Sequence, residues 1–451
     1  MAYHHSPPTL PVAAASPQDE AMFAKISWRL LPLLIVCYII AFIDRVNIGF
    51  AQLQMRETLP FSDAAYAFGA GVFFIGYFLF EVPSNMLLER IGARKTLLRI
   101  MFGWGLVAAA MMFVQSTAMF YTLRFLLGAL EAGFFPGIIL YLTYWYPSAR
   151  RAKITAIFMT GATIAYLIAG PMSGAILKYM NGVMGYHGWQ WMFLIQGLPA
   201  SALGVLAFFY LKDKPADAPW LSQDEKARLK TLFDTDAAAS QGHCASHTSM
   251  GEMLRDVRVW TMALVYFLFL GGTYVMVFWG PTLIKSLGVQ DVLTVGLLSA
   301  VGPLVSIFGM VWIGRSSDRH QERRKHFLFC CALVVIGITV SILTMGQGAI
   351  APVIAGLALM SIGQSAATPL FFTALSEYVP KKTAAVGIAL ISSLGNLGPA
   401  VMPSVAAALN KHTGSSVASL YLVAGVWLAA GIIMMLAVRP KSAASLRMAP
   451  A

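Results

Sequence analysis

Two pairs of opposite charges lie inside apolar sequence. Asp44 and Arg45 are adjacent in AFIDRVNIGFAQ (41–52), and Arg124 and Glu131 are seven residues apart in RFLLGALEAGFFPG (124–137). A guanidinium stays charged at any depth and grips a carboxylate through paired hydrogen bonds. An acid beside it either compensates that charge or carries a proton, because burial and a nearby arginine act on it in opposite directions. This set of groups can hold an organic anion and a proton together. On a helix, Arg124 and Glu131 share one face, about 10 Å apart along the axis. Asp44 shares a face with Asn47, whereas Arg45 lies about 100° round from Asp44. The pattern therefore predicts Arg45 facing a cavity and Asp44 facing a neighbouring helix, the fourth in the chain. Glu81 in FEVPSN is a further acid in apolar surroundings, open to a structural or a functional role.

The elements that must hold these charges are membrane spans. The chain is 58% hydrophobic and 12% charged, with a mean hydropathy of +0.69; an average soluble domain carries roughly twice that charge fraction. Twelve runs, from 30–53 to 417–438, reach the about 20 apolar residues needed to span a bilayer. They predict an all-α polytopic protein. A disordered tail (1–25) precedes a six-helix half (26–211), a linker (212–257), a second six-helix half (258–440) and a tail (441–451). Within the linker, SQDEKARLKTLF reads as a short surface helix. Neither the four cysteines (Cys37, Cys244, Cys330, Cys331) nor the histidines have metal-binding spacing. No nucleotide loop, zinc helix or hydrolase elbow is present, so no enzyme activity and no cofactor are expected.

Basic residues set the orientation. Of 32 Lys and Arg, 26 fall in segments on the side of the termini and four, Arg56, Lys178, Lys285 and Lys411, in the opposite loops. The remaining two are Arg45 and Arg124, within spans. Both termini are expected to be cytoplasmic, in a multi-pass inner (plasma) membrane protein. The net charge of +12 is then a topology signal rather than a nucleic-acid footprint.

An internal repeat links the halves. NMLLERIGARK follows span 2 and GRSSDRHQERR follows span 8, and alignment at a constant offset of 229 matches Glu89 with Asp318, Arg90 with Arg319 and Arg94 with Arg323. Positive-inside charge explains the bases but not the matched acids. These six residues are expected to form a cytoplasmic gate that breaks and re-forms as the halves rock. Duplicated six-span halves are the mark of many transporters, and in such folds spans 1, 4, 7 and 10 line the central cavity. Spans 1 and 4 carry the charges, whereas spans 7 and 10 carry only neutral and aromatic groups, Tyr274, Trp279 and Phe371 among them.

The repeated motif resembles the Gly-x-x-x-Asp-Arg-x-Gly-Arg-Arg signature of the major facilitator superfamily, with Asn85, Glu89 and Gln321 departing from it. AFIDRVNIGFAQ, GYFLFEVPSNMLLERIGARK, RFLLGALEAGFFPG, GWQWMFLIQGLPA and GIALISSLGNLGP are similar to one branch, the anion:cation symporters. That resemblance implies carboxylate binding by Arg45 and Arg124, polar substrate contacts at Tyr77 and Asn396, and proton coupling at Asp44 and Glu131. Gln196 replaces a usual glutamate and Ser392 a frequent asparagine, so the substrate does not transfer by similarity.

The resulting expectation is a monomeric secondary active transporter that imports a small organic carboxylate (a tartrate-like dicarboxylate, a sugar acid or an aromatic acid) with protons by alternating access. Its partners are the anion, the coupling protons and the lipid bilayer. Anion exchange, uniport and drug/proton export are the alternatives.

Overall fold

The computed structural model describes residues 16–241, 255–345, 350–378 and 384–438. The tail calls at 1–15 and 441–451, and linker residues 242–254 with Cys244, lie outside them. Twelve helical segments have the length and hydropathy of membrane spans, and among the described residues there is no strand. The first half comprises α1 (Pro17–Thr58), α2 (Asp63–Ile91), α3 (Ala93–Ala110), α4 (Thr117–Glu131), α5 (Phe134–Thr143), α6 (Ser148–Tyr179) and α7 (Gly188–Tyr210). Helix α8 (Gln223–Gln241) follows, then α9 (Val257–Ser286), α10 (Val292–His320), α11 (Arg324–Met345), α12 (Ile350–Tyr378), α13 (Ala384–Gly395), α14 (Gly398–Thr413) and α15 (Val417–Ala437). Two spans are broken: α4 and α5 form the fourth, α13 and α14 the eleventh.

The structure moves the start of α1. Residues 17–25, expected in a disordered tail, continue the first helix, because Ser16 caps its N-terminus and Asp19, Met22 and Phe23 are buried. Helix α8 covers this extension. Arg228 grips Asp19 through two bonds of 2.9 Å, Lys25 meets Glu225 at 2.8 Å, and Trp220 stacks on Trp145 with ring centroids 5.6 Å apart.

The halves meet chiefly on the face opposite the termini. Helix α6 packs on α10 where a side-chain carbon on Gly170 would lie 2.5 Å from the Gly296 carbonyl oxygen. Nothing larger than hydrogen fits at that approach. Ion pairs Lys178–Asp291 (2.9 Å) and Lys285–Glu57 (3.0 Å) and the Thr282–Gln52 bond (3.1 Å) close the same face. Tyr66 and Trp279 meet edge to face across the interface, centroids 5.7 Å apart, as do Phe74 and Tyr274 at 4.8 Å. Phe371 instead stacks on Tyr266 inside the second half. Among the described residues, the polar cross-half contact nearest the terminal face is the 2.9 Å bond from Ser393 to Glu81. The face opposite the termini is thus sealed.

The charged repeat works inside each half. Arg94 donates from Nε to the Phe208 carbonyl (2.8 Å) at the end of α7, and its backbone N–H bonds Asp213 (2.9 Å). Arg324 donates to the Val438 carbonyl (2.5 Å) at the end of α15. Both contacts span 114 residues, so the structural counterpart of Arg94 is Arg324, not Arg323 as the constant offset implied. Arg323 pairs with Asp318 at 2.5 Å and bonds Ser317. Glu89, Arg90 and Arg319 are exposed. In this conformation none of the described contacts of the six expected gate residues crosses between the halves.

Gly170→Val must push α6 from α10. In a Cys244→Ser background, a cysteine at Thr282 is expected to react severalfold faster with a membrane-impermeant maleimide once Gly170→Val is added. An unchanged rate would show that this approach does not hold the seal.

Candidate functional site

The site is built from α1, α2 and α4. Helix α2 supplies Phe73, Tyr77 and Glu81, which share a face at four-residue spacing. Its contact with α4 is unusually close: a side-chain carbon on Gly128 would lie 1.8 Å from the Phe73 carbonyl oxygen. That approach brings both of α4's charges against α2. Counting 1.5 Å per residue from the sealed face, Arg45, Tyr77 and Glu131 lie about 20 Å deep and Arg124 about 10 Å.

Arg45 is half-buried, its side chain 16% exposed, and its Nη2 donates to Oε1 of Glu131, the last residue of α4. The rings of Phe42, Tyr77 and Phe73 surround its guanidinium at 5.1, 5.5 and 5.6 Å. Arg124 is enclosed (1% exposed) and donates to the carbonyls of Gly69 and Ala70, both at 3.3 Å. Its guanidinium lies 4.9 Å from the Phe73 ring. Phe73 therefore separates two cations, one sealed and one accessible. Asp44 accepts from Trp104 Nε1 at 2.7 Å and from Asn47 Nδ2 at 3.0 Å.

Asp44 and Arg45 turn to different partners, as their separation of about 100° implies, with one correction. Asp44 faces α3 through Trp104, not the fourth span, and the acid of the fourth span turns to Arg45 instead. Arg124 and Glu131, predicted on one face, do not pair with each other. Several polar atoms remain unused: Arg45 Nε, Glu131 Oε2 and Asn47 Oδ1 are buried without a hydrogen-bond partner. Unpaired buried polar groups are costly, and these leave capacity at the site for a further polar ligand. Asn396 lies half-buried at the break between α13 and α14, its backbone N–H bonded to the Ser392 carbonyl at 3.0 Å. Gln196 bonds Ser173 at 3.0 Å, tying α7 to α6.

Sequence reasoning missed Phe73, Trp104 and the Glu81–Ser393 contact. The four-residue spacing of Phe73, Tyr77 and Glu81 was the available signal. The Trp104 contact had none, because a residue's partner across a helix interface leaves no mark on its own periodicity.

Two six-span halves enclosing charged groups at membrane depth are the architecture of a membrane transporter. The family comparison agrees: a model of the Major Facilitator Superfamily matches residues 34–355 and 322–450, and the chain belongs to that family. It is 44% identical over 415 residues to a putative tartrate transporter of Agrobacterium vitis, covering 92% of this chain and 94% of that one. It is 40% identical over 410 residues to a quinolone resistance transporter of Acinetobacter baumannii, covering 91% and 93%. The fold also matches the xylose transporter XylE of Escherichia coli in its inward open conformation, with a TM-score of 0.72, 14% identity and coverage of 94% and 97%.

Trp104→Phe removes one of the two donors to Asp44. A hydrogen bond to a charged group is worth about 1.5–3 kcal/mol. In a double-mutant cycle with Asp44→Asn, followed by thermal unfolding in detergent, a coupling energy of that order is expected. A coupling near zero would mean that Trp104 only fills space.

Proposed function

We propose that this protein carries a small organic carboxylate together with protons, by alternating access around Arg45 and Arg124, and imports it when the termini are cytoplasmic. The observation that carries this reading is the Arg45–Glu131 pair beside a second, enclosed arginine. While Glu131 is a carboxylate, it occupies the guanidinium that an incoming anion needs. A proton on Glu131 removes that competitor, and Arg45 is free to take the substrate carboxylate. Proton and anion then favour each other's binding, the thermodynamic requirement for symport.

The other residues fit around this exchange. Arg124 adds positive potential through Phe73. Asp44, held by Trp104 and Asn47, is assigned a second proton-coupling role. Tyr77 and Asn396 are assigned polar contacts to the rest of the substrate. With cytoplasmic termini, the conformation described above is sealed to the outside. The tartrate-transporter relative supports a carboxylate substrate. The quinolone-resistance relative supports a second reading, export; quinolones are themselves aromatic carboxylates, so the same arginines serve both directions.

A thermal-shift screen of purified protein with tartrate, gluconate, phthalate and 4-hydroxyphenylacetate is expected to show stabilisation by at least one of them, abolished by Arg124→Lys. A lysine cannot bridge the two carbonyls that fix the guanidinium. Equal stabilisation of the variant would remove Arg124 from the site.

In proteoliposomes, an inward proton gradient is expected to drive accumulation of that carboxylate. Asp44→Asn and Glu131→Gln are expected to lose accumulation while retaining exchange. Accumulation by both variants would refute the coupling role, and loading driven only by the opposite gradient would establish export.

A further inference from the structure

We propose that the substrate is an aromatic monocarboxylate, with its carboxylate on Arg45 and its ring seated against the aromatic wall around that residue. The inference rests on the carboxylate-transport reading above and narrows it to one class of anion. Two independent observations carry it: the supply of open cations, and the chemistry of the walls.

Arg45 is the open cation at the site, its side chain 16% exposed. Arg124 is enclosed and committed to two backbone carbonyls. Arg99 of α3 is exposed but bonds Ser84 at 2.6 Å, about 10 Å further along α2 than Tyr77. Among the described residues, the spans of the second half carry lysine and arginine only in their terminal turns. With a proton on Glu131, Arg45 therefore offers one uncompensated positive charge, and one carboxylate cancels it. A second carboxylate on the same small ligand would stand in the membrane interior without a partner, which is costly.

The walls favour a flat ring over a hydroxylated chain. The three rings around the Arg45 guanidinium are backed by further rings. Phe42 meets Tyr38 and Tyr166 edge to face, with centroids 4.9 and 5.6 Å apart. Phe73 meets Phe74 at 5.0 Å, and Phe74 carries the wall across to Tyr274 of the second half at 4.8 Å. Tyr166 on α6 and Tyr274 on α9 lie about 20 Å from the sealed face, as Arg45 does. Phe42 and Tyr166 are only half-buried, which leaves ring surface open beside the cation. Among the described residues, no Asn, Gln, Ser or Thr side chain hydrogen-bonds Arg45 or Glu131. A sugar acid or tartrate brings a hydroxyl on nearly every carbon, and each needs a partner once water is lost. Ring faces supply none. An aromatic ligand brings faces and edges that pack against Phe42 and Tyr166 as these already pack against each other. The tyrosine hydroxyls in the wall can serve a polar substituent on that ring.

Four probes separate the two parts of the assignment. 4-Hydroxyphenylacetate is aromatic with one carboxylate and phthalate aromatic with two; gluconate is hydroxylated with one and tartrate hydroxylated with two. Each is titrated calorimetrically into the purified full-length protein at neutral pH. 4-Hydroxyphenylacetate is expected to bind more tightly than each of the others by about tenfold or more. Phe42→Leu is expected to weaken its binding severalfold, and Phe42→Tyr to stay close to wild type. Gluconate binding as tightly as 4-hydroxyphenylacetate, or a Phe42→Leu variant that binds the aromatic acid as wild type does, would overturn the aromatic assignment and leave the carboxylate reading intact. Tighter binding of phthalate or tartrate would overturn the single-carboxylate assignment, again without touching that reading. A protein that binds none of the four would overturn the reading and this inference with it.

Discussion

Everything in this molecule depends on keeping charge balanced at membrane depth. Arg45, Arg124, Asp44 and Glu131 sum to zero, and each is met by a specific partner. Glu131 meets Arg45, two backbone carbonyls meet Arg124, and an indole and an amide meet Asp44. Removing one partner from such a buried set costs several kcal/mol, far more than the pair contributes over apolar replacements. An added anion disturbs this balance unless a positive charge enters with it. Under the carboxylate proposal, a co-bound proton is what restores the balance of this neutral, buried cluster.

The interface between the halves is built for reversibility. Its sealed face relies on backbone approach at Gly170 and Gly296, aromatic edges at Tyr66 and Trp279, and ion pairs exposed to solvent. Exposed pairs contribute about 0–1 kcal/mol each. The seal is thus specific in geometry, and its ion pairs add little energy to it. By contrast, Arg94 and Arg324 spend their strongest bonds within their own halves, on the last carbonyls of α7 and α15. Each half is stiffened while the joint between them stays soft, which is what rigid-body rocking requires.

The spans and the positions of the charges within them were legible in the sequence because hydropathy and charge position are local properties. Asp44 and Arg45 had to diverge by about 100°, and they do. Partner identity was not legible. Periodicity fixes the face of a helix but not its neighbour, so Asp44 was expected on the fourth span and lies against Trp104 of α3. The repeat misled by one residue, because a constant offset cannot register a loop that differs between copies; only the shared separation of 114 residues identifies Arg324 as the equivalent of Arg94. The helical extension at 17–25 was hidden because its polar residues find partners in α8, some 200 residues away.

The two halves are asymmetric in charge. Among the described residues, the charged side chains at the site come from α1, α2 and α4. The second half faces them with Tyr274, Ser393 and the broken helix carrying Asn396, groups that bond or stack without adding charge. Substitutions there alter shape and hydrogen bonding while leaving charge balance untouched. The two halves thus contribute different chemistry to the same enclosed space: charge from the first, shape and neutral hydrogen bonding from the second.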